Sequence, residues 1–217
     1  MICPVNTVLN WVNEFKVWLP KSSDVDVYEM VTTRSNAKEQ IRMHTLRKWL
    51  ESGGVLIIGY SLFRILTNEN KIVKTQEDRD LVTQSLVNPG PQLVVCDEGH
   101  FLKNEKTALY SAVNKIATRR RIVLTGTPLQ NNLEEYFCMV QFVKPNLLGT
   151  IAEFKNRFAN PIKNGQTADA EIGDVKLMKR QAHVLHRLLE SMFLFLLFAI
   201  LVFSIFLFFL FRFGTKI

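Results

Sequence analysis

Leu93-Val94-Val95-Cys96-Asp97-Glu98-Gly99-His100 runs an apolar segment straight into two adjacent carboxylates. The apolar part has the length and β-branched content of a buried strand. Carboxylates at the exit of such a strand have a specific use. The first, Asp97, can help hold Mg²⁺ through water. The second, Glu98, can orient and polarise a water for attack on a phosphate. Working outward, a second apolar strand, Ile122-Val123-Leu124, ends in Thr125-Gly126-Thr127-Pro128-Leu129-Gln130-Asn131-Asn132. Gly126 permits a tight turn there, and the hydroxyls can satisfy nearby backbone groups.

A P-loop NTPase presents its Walker B carboxylates in this way, and two polar strand ends at this spacing point to a nucleotide-driven motor. The partner element is missing: no Gly-x-x-x-x-Gly-Lys-Ser/Thr phosphate loop occurs in the chain. The first residues, Met1-Ile2-Cys3-Pro4-Val5, already read as a strand. The expectation is therefore an ATPase domain cut at its front.

The 217 residues suit one domain with an appendage, and the net charge of +7 suits a polyanionic partner without requiring one. Through residue 190 there are 25 basic and 20 acidic residues. Cys3, Cys96 and Cys138 are odd in number and widely spaced, which argues against a disulfide framework or a zinc site. Pro4 and Asn6 interrupt the N-terminal apolar stretch, and no basic segment precedes it, so it is no signal peptide.

Strands are expected at Ile2–Val5, Asp26–Val31, Val55–Ile58, Leu93–Cys96 and Arg121–Leu124. Helices are expected at Thr7–Trp18, Ala37–Glu51, Glu77–Leu86, Lys106–Ala117, Leu133–Val143 and Asp174–Glu190. This alternation predicts an α/β fold with a mostly parallel sheet flanked by helices. In such sheets ligands sit beyond the carboxyl ends of the strands, where both polar motifs lie. Trp11, Phe15 and Trp18 recur at helical spacing and read as packing residues. His183 and His186 lack the acidic or Cys partners of a metal site.

Residues 192–211, MFLFLLFAILVFSIFLFFLF, contain Ser204 as their one polar residue. As a C-terminal apolar helix they would span roughly 30 Å, enough to cross a bilayer. Lys179, Arg180 and Arg187 before them favour a cytosolic N-terminus. Their vocabulary of Phe, Leu, Ile and Val equally fits a T-rich intronic tract read in frame. Both readings stay open: a transmembrane segment, or a read-through artefact.

The motif order resembles the first RecA-like lobe of the Snf/Swi class of helicase-like chromatin remodellers. Cys3 to Trp11 with Glu14-Phe15 looks like motif Ia of that family, and Gly59 to Arg64 sits where its motif Ib lies. Asp97–His100 matches motif II and Leu124–Asn132 matches motif III. Gly99, where most members have Ala, narrows the match, as do Arg119-Arg120-Arg121, Asn160–Gln166 and Met178–His183. These resemble the ATRX group and its androgen-receptor-interacting relative. The likeness covers residues 1–190, a partial ATP-binding lobe without its phosphate loop, and stops near Leu189.

By this resemblance Asp97 and Glu98 are the Mg²⁺-associated and water-polarising carboxylates, and His100 couples them to motif III. Thr125, Gly126, Thr127 and Gln130 would link hydrolysis to movement. Pro4, Asn6, Thr7 and Asn10 would lie near the DNA backbone, with Tyr60 and Arg64 as weaker candidates. A helix N-cap at Asn6 or Thr7 is a compatible alternative. Arg119–Arg121 could touch phosphate or merely mark a charged strand entry.

The implied activity is ATP-dependent translocation on double-stranded DNA in chromatin, with ATP and Mg²⁺ as cofactors, histones as partners and the nucleus as location. The chain by itself is expected to be catalytically silent. Two alternatives are a membrane-tethered non-enzymatic pseudo-ATPase and a DNA- or chromatin-binding module without turnover.

Overall fold

The computed structural model describes residues 1–30, 37–68, 73, 75–125 and 133–190. It divides into Met1–Leu147 and a second unit from Leu148. The first unit holds five strands: β1 Ile2–Cys3, β2 Val27–Met30, β3 Val55–Gly59, β4 Val94–Cys96 and β5 Arg121–Val123. They form one sheet in the order β2-β3-β1-β4-β5, and every pairing is parallel. All five lie where the sequence predicts strands; four are shorter by one or two residues and β3 runs one residue further, to Gly59.

Helices α1 Val8–Trp18, α2 Ala37–Ser52, α3 Tyr60–Asn68, α4 Gln76–Leu86, α5 Ala108–Asn114 and α6 Leu133–Val143 complete this unit. β3 reads Val-Leu-Ile-Ile-Gly and is buried over its last four residues, as a covered parallel strand requires. Phe63, Phe137, Phe142 and Leu46 are fully buried. Each contributes about 1.5–3 kcal/mol by leaving water. α1 lays Val8 and Val12 on Cys3 and Ile57, with Trp11 and Phe15 packed at the margin of that cluster.

Trp18 departs from its expected role. It is 67% exposed, and its indole donates to Glu14 Oε2 at 2.8 Å. α3 was not expected. It starts directly at Tyr60 with no loop after β3, and its buried Leu62, Phe63 and Leu66 make too short an apolar pattern to separate from a strand tail.

The second unit contains a helical run from Ile151 to Asn164, made of α7 Ile151–Phe154, a wide π turn Lys155–Ala159 and α8 Asn160–Asn164. The sequence gives this run away poorly because Pro161 reads as a helix stop. The widened turn just before it lets the chain continue. A further helix covers residues 172–190. Gly165 lies against it: a Cβ there would overlap Met178 Cβ and meet Asp174 O at 2.8 Å. The Gly-Gln segment and the Met178 segment that carry the family likeness therefore pack on each other. His186 Nδ1 does have an acidic neighbour, Glu190 Oε1 at 3.6 Å, one helical turn on. Both side chains are exposed, and among the described residues no cluster of three or more metal-ligating side chains occurs.

A capping box starts α7. Thr150 Oγ1 accepts from Glu153 N–H, and Glu153 Oε2 accepts from Thr150 N–H at 2.7 Å. These bonds hold the Glu153 carboxyl below its ordinary value of 4.5. A depressed carboxyl stabilises the fold above its unfolded pKa, and that support is lost as pH falls through the folded one. Thr150→Ala is thus expected to reduce the stability difference between neutral and acidic pH. Thermal melts of both chains at pH 7 and pH 3 measure it, and an unchanged difference would refute the cap's role.

The expected C-terminal apolar helix, 192–211, lies outside the described residues. Among the described residues no helix is long and apolar enough to cross a membrane.

Candidate functional site

β1 and β4 are neighbours at the middle of the sheet, with Ile2 paired to Cys96. The chain crosses from one side of the sheet to the other here, so this is the switch point where a parallel sheet opens a crevice at its carboxyl edge. The residues leaving β1, β3, β4 and β5 are Pro4, Tyr60, Asp97 and Leu124.

Asp97 is held on every side. Its N–H donates to Ile2 O at 2.9 Å, which continues the ladder one step past β4. Its carbonyl accepts the Tyr60 hydroxyl at 2.7 Å. Carboxylate Oδ1 accepts Glu98 N–H at 2.9 Å, and Oδ2 accepts Trp11 Nε1–H at 2.8 Å. A carboxylate offers about four lone-pair sites, so both oxygens keep acceptor capacity for a cation's water.

Glu98 has φ 54° and ψ 63°, the left-handed region that non-glycine residues rarely adopt. The twist turns the chain from β4 into a 3₁₀ turn, Gly99–Leu102, and leaves the Glu98 carboxylate half-exposed. His100 Nδ1 stands 3.3 Å from Glu98 Oε2. Phe101 stacks on Tyr60 at 4.9 Å between ring centroids and meets His100 at 4.7 Å. Lys103 Nζ pairs with Glu135 Oε1 at 3.2 Å, tying the 3₁₀ turn to α6.

Gly99 is where motif II touches the strand of motif III. Its N–H donates to Leu124 O at 2.9 Å. A Cβ at this position would overlap Val123 Cγ1 and sit 3.1 Å from Met139 Sδ and 3.6 Å from Thr125 Cβ. Thr125 therefore lies against the Walker B turn. Gly126, Thr127 and Gln130 fall outside the described residues.

Of the motif Ia residues, Asn6 and Asn10 are exposed and Pro4 and Thr7 half-buried, at the start of α1. Thr7 occupies the N-cap position but makes no capping bond; its hydroxyl donates to Pro4 O at 3.0 Å. Arg64 is half-buried on α3. Tyr60 faces inward rather than outward: it is 3% exposed, its hydroxyl is engaged by Asp97, and burial raises its pKa. Cys96 is a buried free thiol, pushed up to about 12 by burial.

Arg119 and Arg120 are exposed, but Arg121 is buried and donates to carbonyl and amide oxygens of Asn114, Ile116, Thr118 and Phe142. The three-Arg cluster is thus split between surface and interior.

Spacing alone marked Trp11 as a packing residue and missed its bond to Asp97. A half-buried indole N–H calls for an acceptor, but nothing local says that it lies 86 residues away.

Known proteins resemble this chain over most of its length. The transcriptional regulator ATRX of Mus musculus is 51% identical over 189 residues, 87% of this chain and 8% of that protein. The ATRX homolog of Drosophila melanogaster is 52% identical over 194 residues, covering 88% and 14%. The helicase ARIP4 of Homo sapiens is 40% identical over 224 residues, covering 88% and 15%. The chain thus spans only 8–15% of these relatives' length. The Sulfolobus solfataricus SWI2/SNF2 ATPase core in complex with dsDNA matches with TM-score 0.52 at 24% identity, over 82% of this chain and 31% of that one. This last likeness carries the fold alone. The SNF2-related domain matches residues 1–204, past Leu189 where the motifs give out. By its motif order, its parallel sheet and a match over nearly its whole length, the chain belongs to the SNF2-related domain family.

Proposed function

We propose that residues 1–190 are part of the first lobe of an ATP-dependent translocase acting on double-stranded DNA in chromatin. The observation that carries this reading is the half-buried Asp97–Glu98 pair at the exit of β4, at the sheet's switch point. The relatives' names, transcriptional regulator and helicase, support it. A nuclear location and histone partners follow from the same reading.

Asp97 fits a Mg²⁺ ion held through water. Mg²⁺ typically keeps several waters and takes one or two carboxylates, with substrate phosphates completing its shell. A site with one well-oriented carboxylate and no three-ligand cluster among the described residues suits that habit. Mg-ATP would supply the scissile phosphate and its charge neutralisation. Glu98 would hold and polarise the attacking water, and His100, 3.3 Å from it, would limit where its carboxylate points. Thr125, Gly126, Thr127 and Gln130 would carry the signal onward to the DNA-facing side. Asn6, Thr7 and Asn10, with backbone N–H groups at the start of α1, would contact phosphates without reading sequence.

The chain contains no phosphate-loop lysine. Groups of that kind supply much of the transition-state stabilisation in phosphoryl transfer, where one arginine finger alone is worth about 10³–10⁵ in rate. The expected result is duplex binding without turnover. In fluorescence anisotropy, two duplexes of unrelated sequence bind with equal affinity, which falls at least about tenfold between 50 and 200 mM salt. The double substitution Asn6→Asp, Asn10→Asp weakens both equally. Phosphate release with Mg-ATP stays at the level of Glu98→Gln. Salt-insensitive binding, or binding to one sequence only, would sink the reading. The SNF2-related match and the relatives' names favour this reading over the membrane-tethered alternative.

A further inference from the structure

We propose that Trp11 is a positioning residue for the cation site, fixing the Asp97 carboxylate through its indole N–H. The inference rests on Asp97 being the Mg²⁺-associated carboxylate. Three observations carry it.

The bond is short and charge-assisted: Nε1 lies 2.8 Å from Oδ2. The donor is itself anchored, because the Trp11 ring packs on the Cys3, Val8, Val12 and Ile57 cluster. It cannot follow a rotating carboxylate without moving α1. The other groups on Asp97 fix its backbone or its second oxygen: Ile2 O, the Tyr60 hydroxyl and Glu98 N–H. The Glu98 bond comes from the adjoining residue and turns with the local chain. Trp11 Nε1–H reaches the carboxylate from another element, α1. An outer donor of this kind orients a metal-associated carboxylate, and losing one typically costs about 10–100-fold in metal affinity. Because the exposed Asn6 lies just before α1 and the exposed Asn10 in its first turn, one side chain joins the surface proposed for DNA to the carboxylate proposed for the cation.

The three tryptophans make the test direct. Each indole has its own acceptor: Asp97 for Trp11, Glu14 for Trp18 and Gly54 O for Trp49. In the full chain labelled with ¹⁵N-tryptophan, Mn²⁺ added well below one equivalent is expected to broaden the Trp11 indole resonance more strongly than those of Trp18, about 10 Å further along α1, and Trp49. Asp97→Asn should abolish the selective broadening. Replacing Trp11 with benzothienylalanine keeps the ring and removes only the N–H. Mn²⁺ affinity, read by electron paramagnetic resonance, should then fall about tenfold or more. Trp11→Phe should act the same way, with sharp Trp18 and Trp49 resonances reporting that each variant is folded.

If the sulfur isostere binds Mn²⁺ as the unchanged chain does, Trp11 is only a packing residue, and the positioning role is overturned while Asp97 keeps its assignment. If Mn²⁺ fails to broaden Trp11 selectively even in the unchanged chain, Asp97 is not the cation's carboxylate and both assignments fall.

Discussion

Arg121→Met is expected to lower the unfolding free energy by about 2–4 kcal/mol, from the loss of a buried hydrogen-bond network and the unpaired carbonyls it leaves. Arg121 is 6% exposed. Its five N–H bonds are all used inside the protein: Nε to Thr118 O, Nη1 to Asn114 Oδ1 and Phe142 O, and Nη2 to Asn114 O and Ile116 O. Two of those carbonyls close the end of α5 and one belongs to the last turn of α6, where helices leave acceptors unsatisfied. The guanidinium also lies 4.5 Å from the Phe142 ring centroid. Burial, with Arg119 acting in the same direction, lowers its pKa, yet a guanidinium stays charged. Methionine fills much of the volume but leaves these carbonyls without a donor, at about 1–3 kcal/mol for each that water cannot reach. Lysine keeps the charge and cannot bridge two helix ends, so Arg121→Lys should fall between. Arg119→Met and Arg120→Met, on the surface, should change stability by less than about 0.5 kcal/mol. Urea unfolding followed by circular dichroism measures all four. A loss under 1 kcal/mol for Arg121→Met would show that the network is not what holds β5 to its helices.

That contrast marks where the sequence stops being readable. Strands were legible because a buried parallel strand needs a run of Val, Ile and Leu, and Val55–Gly59 and Val94–Cys96 have little else. Long helices were legible by their apolar period, as in Leu133–Val143. The carboxylate pair was legible because its chemistry is carried by adjacent residues. What failed depended on contacts between distant segments. Three consecutive arginines look alike in sequence, and only the fold sends the third inward. Tyr60 looks like a surface residue beside Arg64 until β3 and β4 bring its hydroxyl to Asp97. Trp11 looks like core until the same packing presents its N–H to that carboxylate.

Gly99→Ala is the companion case, in which a family-narrowing residue has a physical cause. The added methyl would overlap Val123 Cγ1 and press on Met139 Sδ at 3.1 Å. Val123 is the half-buried last residue of β5, and Met139 is buried on α6. Overpacking of this kind costs about 1–3 kcal/mol. The strain would fall on Glu98, already left-handed, and on the Gly99 N–H bond to Leu124 O that joins the two strand-end motifs. A smaller residue at 123 would relieve that contact. Val123→Ala alone should cost about 1–2 kcal/mol from lost burial. The double variant should be less destabilised than the sum of the singles by about 1 kcal/mol or more, because the second change removes the clash made by the first. Urea denaturation of the four chains yields that coupling energy directly. Additive losses would mean that Val123 yields by a rotamer change, and the pairing of positions 99 and 123 would fall. A coupling of the expected size would explain glycine in this motif as a consequence of valine at the end of β5.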